Sequence, residues 1–354
     1  MKLIKCSGTQ VILNHLQHKF LPFIITLILV IPTRIFAFDE DKFILGKSFF
    51  DKPWVGFPAS TTARDGLGPL FNENACLVCH PKGGRSHKIV VKLDNPNTIY
   101  GAQINTKSNA NVPAEAQVVI DYKRHTVTYA NGDKVLLKKP VAILEKLSYG
   151  KIDSEFSLRI APSLFGLGLL EKVANKPINR FNLSAIEPSI LAQVANAAHN
   201  DMSLTSPLYP YENCDTKQVK CHQAPKSDEI DLPMHRLKAI TYFVQSLDKV
   251  SAVKPIKLFS KAGCSGCHTP SYDLEKRTIY PYSDLLVHNL GEGNFRTAPL
   301  WNSKKAPNFW HDGRAKTVEE AILWHQGDAR LAMENFVKLS PEYRKKLIRF
   351  IEKM

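Results

Sequence analysis

The sequence predicts a mainly α-helical protein of two similar units, the first of which carries a β-rich insertion. Three observations lead there. The pentapeptide Cys-x-x-Cys-His occurs twice, as Cys76-Leu77-Val78-Cys79-His80 and as Cys264-Ser265-Gly266-Cys267-His268. An apolar-periodic stretch precedes each pentapeptide, and an amphipathic helical pattern closes each unit. Between the first pentapeptide and the end of its unit, β-prone runs and an Asn-Gly pair replace the helical period.

The chain starts with Lys2, Lys5 and Lys19 ahead of an apolar run from Phe20 to Pro32, which at about 13 residues is too short to span a bilayer. Ile35 and Ala37 offer a small-residue cleavage site before Phe38. Residues 1–37 therefore read as a signal peptide, and the mature protein is expected in the periplasm; an uncleaved membrane anchor is the alternative.

Two thiols about one helical turn apart can add to the two vinyl groups of one haem, with the adjacent histidine reaching the iron as proximal ligand. Cys76, Cys79 and His80 thus predict one covalently bound haem c, and Cys264, Cys267 and His268 a second. A zinc site would need a further Cys or His pair, and a thioredoxin-like pair would need a βαβ setting. Each unit then reads as a cytochrome c-like helical haem domain, over 38–248 and 256–354. In the first, residues 43–50 lead into the motif and 237–247 close the unit; in the second, 256–263 and 343–354 do the same. Asp248 to Pro255 is the linker.

The insertion spans about 88–140. Gln117 to Tyr122 is expected to pair with Thr126 to Ala130, after which Asn131-Gly132-Asp133 turns the chain into Lys134 to Leu137. Such an appendage can cover a haem edge, form a docking surface or act as a structural flap. Beyond it, Arg159-Ile160-Ala161-Pro162-Ser163-Leu164-Phe165 has a counterpart in Arg296-Thr297-Ala298-Pro299-Leu300-Trp301. Gly166 and Gly168, next in line, allow close backbone approach.

The formal charge of +14 falls to about +10 without Lys2, Lys5, Lys19 and Arg34, and haem propionates lower it further. That field suits an acidic, soluble electron-donor protein. No basic helix or aromatic strip accompanies it, so no nucleic-acid binding is predicted. Cys214 and Cys221 read as a disulfide in an oxidising compartment, with a third haem through this wider spacing as the alternative. No free thiol then remains for thiol catalysis.

With these motifs in place, the chain resembles the di-haem c-type oxidoreductases ("thiol oxidoreductase"-like), relatives of bacterial di-haem cytochrome c peroxidases. The resemblance rests on both pentapeptides, on Ala161 to Glu171, on Asp201 to Pro207, on Tyr282 to Leu286, and on His311-Asp312-Gly313-Arg314-Ala315 running through Glu319 to His325. It implies His325 as sixth ligand of the second haem, where the related peroxidases place a methionine; His288 and His311 compete for that place. Two histidine ligands give a low-spin, electron-passing centre. The first haem is left with an open iron for a small oxidant, and Asp201 stands where related enzymes carry a distal acid, with Glu171 and His199 as alternatives and Phe165 lining the pocket. Trp301 and Trp310 are candidates for the ring between the haems. Thr297-Ala298-Pro299 matches a segment whose carbonyls hold Ca2+ in relatives. Asn289 and Asn302 depart from the family pattern, which has an aspartate and a glycine there. The resulting expectation is a peroxidase-like oxidoreductase taking hydrogen peroxide; the rival readings are a non-enzymatic di-haem electron-transfer cytochrome and a haem-dependent oxygenase.

Overall fold

Asp39 opens the first helix, Glu40–Asp51, by accepting a hydrogen bond from the Lys42 amide at 2.9 Å. The computed structural model describes residues 38–354, and the signal-peptide reading falls outside them. This helix packs along Met234–Gln245, with Phe50 against Phe243 at 5.0 Å between ring centres. Gly46 sets the approach, because a Cβ there would stand 2.0 Å from the Ala239 carbonyl oxygen. Gly46→Ala is accordingly expected to destabilise the protein by about 1–3 kcal/mol, as overpacking does; an unchanged urea midpoint would show that the two helices are not held this close. Ile190–Met202, capped by the Ser189 hydroxyl on the Ala192 amide, completes this helical layer around Trp54, Leu170 and Leu204.

A second apolar cluster gathers Phe259, Tyr282, Phe336, Leu347 and Phe350. It is built by Lys257–Lys261, Val318–Leu323, Arg330–Lys338 and Pro341–Ile351, the last with Ser340 as cap and Pro341 in its first turn. A third cluster lies on a three-stranded antiparallel sheet in which Ile89–Leu93 is flanked by Gln103–Ile104 and Phe156–Ile160.

The mainly α, cytochrome c-like expectation is overturned. The described residues are 29% helix and 18% strand, spread over several small sheets. The helices at the two pentapeptides last a single turn: Cys76–Cys79 ends at His80 and is followed by a 3-10 turn over Pro81–Gly83, and Cys264–Gly266 is a 3-10 turn entered through Gly263 in a left-handed conformation. Turns and short ladders then satisfy the backbone where helices had been expected to.

The insertion is a two-stranded ribbon, Gln117–Thr128 paired with Lys134–Glu145. The expected pairing of residues 117–122 with 126–130 does not form: the first run and residues 126–128 of the second belong to one continuous strand. Lys123-Arg124-His125 between them contains no turn-forming residue, so nothing reverses the chain there. The reversal comes at Asn131-Gly132-Asp133, with Gly132 at φ +88°. At its base the ribbon packs Val118, Ile120, Ala142 and Leu144 on the sheet, and at its tip it buries Tyr129 and Leu137 among the second cluster. The Tyr129 hydroxyl donates to Glu319 at 2.6 Å, and the Arg344 guanidinium lies 3.7 Å from the Tyr129 ring centre. Cys214 and Cys221 form a disulfide.

Candidate functional site

At the first pentapeptide the His80 amide bonds back to the Cys76 carbonyl at 2.9 Å, which puts both thiols and the imidazole on one turn. Burial pushes the Cys76 and Cys79 thiols up to about 12, with the nearby Asp201 carboxylate adding to the effect. These are poor thiolates, unlike a redox-active Cys-x-x-Cys pair. Burial also lowers His80 to about 4, so its imidazole is neutral, and its Nδ1 is buried without a hydrogen-bond partner. The Leu164 amide donates to the Gly83 carbonyl at 2.9 Å, and the Phe165 ring lies beside Gly83, so the Arg159 to Phe165 element packs on the turn that follows His80.

Asp201, near the end of its helix, accepts from Gln103 Nε2 at 2.7 Å, while its backbone carbonyl takes the Asn72 amide at 2.9 Å. Its charge reaches Cys76, Cys79 and His80, which places it at the first motif. Glu171 is engaged elsewhere: one oxygen accepts the Ile190 amide and the other Gln245 Nε2 at 2.7 Å, joining two helices. His199 stacks on Tyr209 at 4.7 Å. A cavity of about 560 Å3 adjoins the first motif, lined by Cys79, Glu73, Lys88, Val118 and Ile120 among others, a size that accommodates a sizeable ligand.

At the second pentapeptide His268 is oriented by a hydrogen bond from Nδ1 to the Tyr282 carbonyl at 2.7 Å, and burial lowers its pKa to about 4. His325 follows the helix Val318–Leu323 and bonds through Nδ1 to the Ala321 carbonyl, also at 2.7 Å; burial lowers its pKa too. With each Nδ1 committed to a carbonyl, each Nε2 keeps its lone pair. The two ring centres stand 6.4 Å apart. With nitrogens about 2 Å from a shared metal and ring centres about 1.1 Å behind them, opposed imidazoles would be about 6.3 Å apart. Two neutral imidazoles with free Nε2 atoms at this spacing are a donor set compatible with a shared iron.

The competing histidines are otherwise engaged. His288 bonds Asp284 at 2.7 Å, and His311 lies flat on Phe295 with ring centres 4.0 Å apart. Cys267, Asp284 and His288 bring three potential ligand atoms together, Cys267 being also a thiol of the second pentapeptide. The Thr297 carbonyl, in the segment matched to a calcium site, accepts from the Ser283 hydroxyl at 2.6 Å.

Trp301 and Trp310, the two candidates for a ring between the haems, have partners that the sequence did not disclose. Trp310 donates its indole N–H to the same Ala321 carbonyl that orients His325, at 2.9 Å, and its ring centre is 5.6 Å from that of His325. The Trp310 carbonyl in turn accepts from Arg85, five residues past the first motif, and Asn308 donates to the Ser86 carbonyl at 2.9 Å. Trp301 sits against Gly166, where a Cβ would meet its ring at 2.2 Å, and it packs within the first apolar cluster. Arg314 lies between the rings of Trp310 and Trp324, 5.0 and 4.9 Å from their centres. A carbonyl acceptor has no side-chain signature, which is why Tyr282 and Ala321 could not be read from the sequence.

No curated protein matches the chain. Among solved structures, hydrazine synthase of Kuenenia stuttgartiensis, pressurized with 20 bar xenon, is similar over 98% of this chain and 100% of that one, at 12% identity and a TM-score of 0.40, too weak a likeness to support an argument. The segment that holds His268, Trp310, Arg314 and His325, residues 245–354, matches the family described as "Di-haem oxidoreductase, putative peroxidase".

Proposed function

We propose that the protein is an exported di-haem c oxidoreductase that reduces hydrogen peroxide at the first motif and takes up electrons at the second. One peroxide then consumes two electrons and two protons and yields two water molecules. Haem c, held by Cys76, Cys79 and His80 and by Cys264, Cys267 and His268, supplies one-electron redox chemistry and, where an axial position stays open, an iron that accepts a small oxidant. The observation that carries this reading is the asymmetry between the motifs. The ring centres of His268 and His325 lie 6.4 Å apart, whereas among the described residues His80 has a ring contact with Phe50 and none with a second imidazole.

The residues of the chain divide the work. Tyr282 and Ala321 carbonyls hold two neutral imidazoles in the tautomer that leaves Nε2 free. Asp201, positioned by Gln103 beside the first motif, is the carboxylate placed to move a proton. Arg85 and Asn308 tie the loop after the first motif to the Trp310 segment that walls the second.

Electron paramagnetic resonance of the oxidised protein is expected to give one high-spin and one low-spin ferric signal. Asp201→Asn should slow peroxide-dependent oxidation of a chemical reductant on the order of 10²-fold, the usual scale for losing a positioned proton carrier, with both signals unchanged. Two low-spin signals and no turnover with peroxide would make the protein an electron carrier instead.

A further inference from the structure

Toward the tip, the face of the ribbon that packs Val118 and Ile120 on the sheet at its base is exposed, and this outer part carries an arrangement that its own fold does not neutralise. In the register of the two strands Lys123 stands opposite Lys139 and Arg124 opposite Lys138, and like charges directly across a ladder are destabilising. On the inner face Lys139 is relieved by Glu292 at 2.8 Å. On the outer face Arg124 and Lys138 are joined by Lys134, four pairs on and on the same side of the ladder; all three are exposed, and among the described residues none of them has an ion-pair partner within 4.0 Å. Tyr122 and Leu136, on the same face, are 53% and 52% exposed. Three cations around an exposed tyrosine and leucine, with no carboxylate on that face, complement a partner whose contact patch is acidic with an apolar centre.

The position of this face ties it to the second site. His125, between Arg124 and Thr126, places its ring 5.7 Å from that of Trp324, and Trp324 is the residue before His325. The ribbon therefore touches the residue that directly precedes His325.

We propose that this face docks a small acidic electron-carrier protein that delivers electrons to the second site. The proposal rests on the function proposed above and adds the partner's chemistry and its place of contact. In each encounter the partner's reduced centre would lose one electron to the iron that His268 and His325 would hold, taking it from ferric to ferrous with no proton transferred.

The test uses the holoprotein and a reduced, acidic blue-copper protein as probe. Binding is followed by calorimetry, and electron transfer by stopped-flow at the copper band, both across ionic strength. Arg124→Glu with Lys138→Glu should weaken binding by about tenfold or more and flatten the salt dependence of the bimolecular rate. Lys304→Glu with Lys305→Glu, which makes the same change in net charge at another exposed site, should do neither. Equal effects of the two double variants, an unaffected ribbon variant, or no binding by the unaltered protein would each overturn the proposal. Ribbon-dependent binding to phosphatidylserine vesicles or ribbon-dependent dimerisation, without effect on the copper protein, would assign the face to a different occupant and overturn it too. Peroxide turnover with a chemical reductant is measured in parallel. Its absence would remove the peroxidase reading while leaving the docking result standing.

Discussion

Arg314→Leu is expected to cost about 3–5 kcal/mol of unfolding free energy, the range for removing one partner of a buried ion pair. The Arg314 side chain is 2% exposed, and it reaches both oxygens of Asp312, at 3.0 and 2.9 Å through Nε and 2.7 Å through Nη2, as well as Glu292 at 2.6 Å. Leucine would leave Asp312, itself 3% exposed, as a buried charge without its partner. It would also withdraw the cation from between Trp310 and Trp324, whose rings flank it. Glu292 adds a pH signature: burial raises its pKa, but hydrogen bonds from Arg314 and Lys139 outweigh this and hold it at about 2. Its contribution is thus present above its unfolded value near 4.5 and is lost as pH falls toward 2. In the variant that acid dependence should be shallower. A loss below about 1 kcal/mol in urea denaturation would mean that the network is worth no more than a surface pair.

Arg314 also shows where sequence reading stops. His311-Asp312-Gly313-Arg314-Ala315 stood out through a family resemblance, but the residue that organises the block around two tryptophans could not be singled out from its position in the string. What a guanidinium touches is decided by the fold. The two pentapeptides were legible because their residue types recur at the spacing that haem attachment would require, and the helices Glu40–Asp51, Met234–Gln245 and Pro341–Ile351 because each pairs an apolar stripe with a recognisable start or stop. The hairpin reversal at Asn131-Gly132-Asp133 was legible for the same kind of reason: only certain residues tolerate that backbone.

The fold class was misread because local signals were extrapolated. The helical periods before each motif and at the end of each unit were extended to a mainly α protein, although much of the chain between them lacks a helical period. Strand register failed likewise. Gln117 to Tyr122 and Thr126 to Ala130 are both β-prone, and such runs pair as readily with distant partners as with each other; tertiary packing of the ribbon on two separate apolar clusters chose the long register. At the site, Glu171 and Asp201 were indistinguishable as strings. Their partners separate them, since Glu171 joins two helices while Asp201 stands by the first motif.

His325→Ala is expected to abolish the low-spin ferric signal of the second site and replace it by a high-spin one, an all-or-none change in the oxidised spectrum. The argument is geometric: the Ala321 carbonyl fixes the His325 ring, the Tyr282 carbonyl fixes His268, and the ring centres stand at the spacing of opposed ligands. The stability cost should stay near 0.5–1.5 kcal/mol, the worth of one hydrogen bond, because Trp310 keeps its own bond to the Ala321 carbonyl. His325→Met supplies the complementary case. A thioether at this place should restore a low-spin centre while raising its reduction potential, as histidine–methionine ligation does. An unchanged low-spin signal in His325→Ala would require another ligand to reach the iron. His288 would first have to leave Asp284, and His311 would have to unstack from Phe295, so that result would demand a rearranged site rather than a substituted ligand.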